Sequence, residues 1–195
     1  LSATALAADS NPLDGFAPET LTRIMNGEVV FESKLDTDHQ IRKVARLYAD
    51  KISSDSYIDL TLNYPKYPSI FEEVAKVELK AQDKEKHQYS YLMEFVIYAG
   101  GLLPVTLNPE GRHTVVRSKD ATDVASIVHE LLNYRDNLEF MVQKVRLIPY
   151  KSGILIEDDV HIAAKDTYFA NKIKARFADF FDKYPKTFRH ALTGE

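Results

Sequence analysis

The chain has no cysteine among its 195 residues. That excludes a disulfide framework, thiolate chemistry and any cysteine-ligated metal. Tryptophan is also missing, and there are only seven glycines. Neither a phosphate loop nor a dinucleotide fingerprint occurs, and both need closely spaced glycines to bring backbone amides against phosphate. There is no nucleophile elbow and no zincin motif either. No apolar run approaches the roughly 20 residues needed to span a bilayer, so an integral membrane segment is not expected. Positive charge is not in excess. The net charge is −4 and the pI about 5.9, so no field favours nucleic acid or an anionic surface. The sequence shows no internal repeat and no low-complexity segment.

What the chain does have is 11 tyrosines and 10 phenylalanines in an otherwise ordinary globular composition. Its length suits one domain with a sizeable core. The aromatics are patterned. Phe169, Ile173, Phe177, Phe180, Phe181, Tyr184 and Phe188 recur at spacings of three and four, which puts them on one face of a helix running from about Asp166 to Leu192. Asn171, Lys172, Lys174, Asp179, Asp182 and Lys186 fall on the opposite face. Phe177 and Phe181, four apart, are expected to face a sheet.

Upstream, the period is mostly two. Pro18 to Met25 reads as a short helix ended by Asn26-Gly27. Gly27 to Ser33 and Ile41 to Ile52 read as a strand pair across the polar turn Asp36-Thr37-Asp38. Ser53 or Ser54 is a suitable N-cap for a helix to about Leu62, which Pro65 and Pro68 interrupt. Val74 to Ala81 and His87 to Tyr98 form a hairpin. Leu102 to Arg117 reads as a further strand pair turning at Asn108-Pro109-Glu110-Gly111. Val124, Ile127, Val128, Leu131 and Leu132 have helical spacing, with a broken strand as the alternative. Leu138 to Ile148 and Gly153 to Ala163 alternate as strands. The predicted fold class is therefore α+β. Six or seven antiparallel strands curve around a long C-terminal helix, with two short helices after the first strands.

The segment Leu62-Asn63-Tyr64-Pro65-Lys66-Tyr67-Pro68-Ser69-Ile70-Phe71 resembles the "L-D-Y-x-x-Y-P-x-F" stretch of the START-like superfamily, also called helix-grip or polyketide cyclase-like. Asn63 replaces the usual Asp. Together with the element order, the resemblance covers the chain from about Gly27 onward, so residues 27–195 are expected to form one START-like domain. Residues 1–26 are then a lead-in. Within it, Ala5-Leu6-Ala7 fits a signal-peptidase site and implies a mature start near Ala8, in the periplasm or outside the cell.

The resemblance implies a cavity between sheet and helix for a hydrophobic small molecule or lipid, bound without catalysis and without a cofactor. Tyr89, Tyr91, Met93 and Phe95 share one strand face and can line such a cavity. Phe140, Phe177 and Phe181 complete the expected lining, and Tyr89, Tyr91, Glu94 or Arg146 would fix a polar head. Two other readings stay open: a cyclase or aromatase on the same fold, and an interaction domain with a filled core. No metal site is expected. Asp159 and His161 share a strand face while Asp158 points to the other, which leaves too few ligands on either side. His113, beside Arg112, and His129, beside Glu130, read as structural or solvent-exposed.

Overall fold

The structure, a computed structural model, describes residue 13 and residues 16–99, 103–118, 124–133, 137–167 and 182–194, with backbone only at 97–99 and 103–105. The expected cleavage site at residues 5–8, and Phe177 and Phe181, lie outside the described residues.

Among the described residues nine strands form one antiparallel sheet, in place of the six or seven expected. They are β1 (Val30–Asp36), β2 (Gln40–Ala49), β3 (Val74–Asp83), β4 (Gln88–Ala99), β5 (Leu103–Leu107), β6 (Glu110–Arg117), β7 (Ala125–Leu131), β8 (Leu138–Tyr150) and β9 (Gly153–Ala164). Their order across the curled sheet is β1-β2-β9-β8-β7-β6-β4-β3, with β5 also on β4. The last described strand thus pairs with the second, one strand in from the β1 edge of the sheet.

Local chemistry sets most element ends. Pro18 starts α1 (Pro18–Met25) with a fixed φ, and Gly27 leaves it at φ +89°. The Ser53 hydroxyl accepts the Ser56 amide at 3.1 Å and so caps α2 (Ser54–Leu62). Tyr64–Lys66 makes a single 3₁₀ turn before α3 (Tyr67–Ile70). The Tyr67 hydroxyl donates to the Thr61 carbonyl at 2.8 Å and ties that turn back to α2. Residues 182–193 are helical and form α4.

Here the structure decides one open reading and corrects one expectation. Residues 125–131 are a strand, hydrogen-bonded on both sides by β6 and β8. The apolar spacing that suggests a helix is a coincidence of residues on both faces of that strand, where pairing overrides local pattern. The segments around Asn108-Pro109 do not form a hairpin with each other. β6 pairs with Gln88–Leu92 of β4 and β5 pairs with Phe95–Ala99, so they lie end to end along one edge of a 12-residue strand.

Alternation divides the sheet into two faces. The inner face presents Leu47, Tyr91, Val115, Ile127, Leu147 and Ile156, which pack with Tyr57, Tyr64, Tyr67, Phe71 and Phe188 in the main core. On the outer face, Ile148 and Leu155 pack against Phe16 and Ile24. Ile24 is fully buried, so the packed structure includes α1 and begins before Gly27. Beside this patch Arg46 pairs with Glu32 and Glu157, both at 2.8 Å, and its guanidinium lies over the Phe16 ring.

Candidate functional site

A line of polar side chains crosses the inner face, one per strand. From β4 the Tyr91 hydroxyl meets His129 Nε2 of β7 at 2.6 Å. His129 Nδ1 meets Gln143 Oε1 of β8 at 3.4 Å. The Gln143 amide then donates to both carboxyl oxygens of Asp158 on β9, at 2.9 and 3.0 Å. The strands are hydrogen-bonded neighbours from β7 to β9, with His129 paired opposite Gln143. One set of proton positions satisfies the whole line. Tyr91 O–H donates to Nε2, Nδ1–H donates to the Gln143 carbonyl, and the Gln143 amide donates to Asp158.

Alongside, the His113 ring stacks on Tyr64 at 4° between planes, with its Nδ1 3.1 Å from the Tyr64 hydroxyl. The His113 and His129 ring centroids are 5.1 Å apart.

The surroundings are aromatic and aliphatic, and that sets the protonation states. Burial holds the His113 imidazole well below its usual range, with a contribution from neighbouring His129. Burial likewise pulls His129 down to about 4, against the hydrogen bond it makes to the Gln143 carbonyl. Asp158 is pushed up to about 7, chiefly because its carboxylate would be stripped of water. The Gln143 hydrogen bond opposes this and the Asp159 charge adds to it. Burial also raises Tyr91 well above 10. At neutral pH both imidazoles and the phenol are uncharged, and Asp158 is near its midpoint.

Gly111 makes room for the first link. A Cβ there would stand 2.5 Å from the Tyr91 hydroxyl and 2.8 Å from His129 Nε2. Gly111→Ala should therefore separate the pair and cost about 1–3 kcal/mol, the usual range for forcing a methyl into a packed interior. Urea melts would measure it. Tyr91→Phe should cost less in the Gly111→Ala background than in wild type, and strictly additive losses would place the bond elsewhere.

Of the residues expected to line a cavity, Tyr91 is buried, while Tyr89, Met93 and Phe95 are partly buried against the same core. Phe140 instead stands on the outer face. A bulge between Leu138 and Phe140 shifts the alternation, leaving the Phe140 ring exposed and edge-on to His161 at 4.8 Å. Arg146 is also on the outer face, bonded to Glu157 at 2.8 Å, and Glu94 alternates away from Tyr91 and Met93. Neither is placed to fix a polar head inside.

Asp159 and His161 do share the outer face, where Asp159 pairs with Arg42 at 2.6 Å and His161 meets Gln40 at 3.2 Å. Sequence reasoning missed His113, His129, Gln143 and Asp158 as one group. A signal for Asp158 was available, since it shares its face with Ile154, Ile156, Val160 and Ile162, all of them buried.

No protein-family model matches the chain, and no curated protein matches it in sequence. Solved structures do match in shape. A STAR-related lipid transfer protein from Xanthomonas axonopodis superposes with a TM-score of 0.55 at 11% identity, over 83% of this chain and 98% of that one. Human STARD10 gives 0.58 at 8% identity, over 90% and 79%. The Zhui aromatase/cyclase from a Streptomyces species gives 0.59 at 11% identity, over 80% and 93%.

The fold is the START-like helix grip. In this helix grip the inner face of the sheet, where the Tyr91–Asp158 line runs, is the face that packs against Phe188 of α4. Where the described part of α4 meets the sheet, the interior leaves only about 10 Å³ of free space, bounded by Leu47, Tyr57, Asp158 and Phe188 among others.

Proposed function

We propose that this chain binds a small hydrophobic molecule or lipid on the inner face of its helix grip, with the Tyr91–His129–Gln143–Asp158 line as the polar contact. The observation that carries this reading is the line itself. A phenol, an imidazole, an amide and a carboxyl, with the His113 imidazole beside them, stand on a face otherwise lined by aromatic and aliphatic residues. A core built only for stability has no need of them, because burying each group costs desolvation that hydrogen bonds only partly offset. The described similar structures include a lipid transfer protein, which supports a ligand of this class. Apolar burial, at about 25 cal/mol per Å², would supply the affinity, and the polar line would set orientation.

Native mass spectrometry of the full chain mixed with a total lipid extract is the test. A one-to-one complex with an amphiphile is expected, weakened by His129→Gln. A protein that stays free of ligand in such extracts would overturn the proposal.

A cyclase-type enzyme is the second reading. It is favoured by the neutral imidazoles and by an Asp158 carboxyl poised near 7, and one of the three structures compared above, Zhui, is an aromatase/cyclase. Turnover of an aromatic polyketide precursor, lost in His129→Gln, would select it over simple binding.

A further inference from the structure

We infer that the ligand enters head-first with a compact hydrogen-bond donor, a primary amine or an alcohol, seated between the Tyr57 hydroxyl and the Asp158 carboxyl. This rests on the binding function proposed above and names the ligand's polar end.

Three observations converge on that spot. First, the interior space of about 10 Å³ is bounded by Tyr57 and Asp158, with Leu47, Ile156 and Phe188 as apolar walls. A cavity of roughly 10–15 Å³ on this measure holds one water-sized group. A hydroxyl or an ammonium fits that size, whereas a phosphate or phosphocholine head does not.

Second, Tyr57 is only 4% exposed as a residue, and among the described residues no hydrogen bond of its hydroxyl is found, while its oxygen keeps some accessible surface. A buried phenol normally finds a partner. The Tyr57 hydroxyl also senses the Asp158 charge, which adds to burial in raising its pKa.

Third, Asp158 is 5% exposed, and among the described residues its only hydrogen-bond partner is the Gln143 amide. A carboxylate offers about four acceptor positions, so most of its capacity is unused. No described cationic side chain pairs with it. Arg189 borders the same space, but its guanidinium donates to the Gly27 carbonyl at 2.8 Å.

The chemistry of the ligand follows. An anionic head would lie against the Asp158 carboxylate, at a cost in desolvation and repulsion that the Arg189 guanidinium at the border of the space offsets only in part. A protonated amine would gain a charge-assisted bond to Asp158. An alcohol would donate to Asp158 and accept from Tyr57, satisfying both.

The test uses the full chain at about pH 8, where Asp158 is ionised, titrated calorimetrically with dodecylamine, dodecanol and dodecanoate, which share one tail. Amine and alcohol should each bind about tenfold or more tighter than the carboxylate, the scale of one hydrogen bond to a charged group. Asp158→Asn should erase the amine's advantage. Tyr57→Phe, which keeps the ring, should weaken the alcohol several-fold. Dodecanoate binding as tightly as the amine, or a preference untouched by both variants, would overturn the inference while leaving ligand binding intact. If none of the three binds, the proposed function falls and this inference with it.

Discussion

Asp158→Asn should make the protein more stable than wild type at pH 8, with an advantage that disappears near pH 4. The Asp158 carboxyl is raised from an ordinary 3.8 to about 7 in the folded chain. Between those values the folded state holds a proton that the unfolded state has released, so wild-type stability falls as pH rises across the window. A shift of about three pK units corresponds to roughly 4 kcal/mol, at about 1.4 kcal/mol per unit. Asparagine cannot ionise, and its carbonyl still accepts the Gln143 amide, so the variant escapes that loss. The two histidines work with the opposite sign. Their pKa values are lowered, so they contribute stability that is present above about 6.5 and lost as pH falls. Because they are common to both proteins, they cancel in the difference. Urea melts of the pair at several pH values between 4 and 8 would show it. A difference that does not change with pH would mean that Asp158 is not held in a water-poor site.

Phe188→Ala is the second large effect. Phe188 is 1% exposed and joins α4 to the rest of the core. Its ring centroid lies 4.9 Å from that of Tyr57, 5.8 Å from Tyr184 and 6.4 Å from Phe71. Removing the ring loses its burial and leaves a hole that neighbouring aromatics cannot fill, which costs about 3–5 kcal/mol. Lys186→Ala, two residues away and exposed, removes only a surface contact with the Phe31 ring at 5.6 Å and should cost under about 1 kcal/mol. Similar small losses for both, in denaturant melts, would mean that α4 does not hold the core.

The elements themselves were readable from local chemistry. Ser53 announced the start of α2, Pro18 and Gly27 bracketed α1, and the two-residue period marked β3, β4, β8 and β9. These signals are local because capping, proline geometry and alternation act within a few residues. The aromatic spacing that ends at Tyr184 and Phe188 likewise announced the described part of α4.

The tertiary structure alone decided the rest. That β7 is a strand follows from hydrogen bonds on both of its edges, which no window of its own sequence contains. That Phe140 faces outward follows from one bulge, which reverses alternation without leaving a turn residue to betray it. The polar line depends most of all on the sheet order. Tyr91, His129, Gln143 and Asp158 are separated by 38, 14 and 15 residues along the chain. They meet because the strand order sets β7, β8 and β9 side by side and leaves only Gly111 of β6 between Tyr91 and His129 on the inner face. Each taken alone is an ordinary residue in an alternating strand, and only the register brings their protons and lone pairs into line.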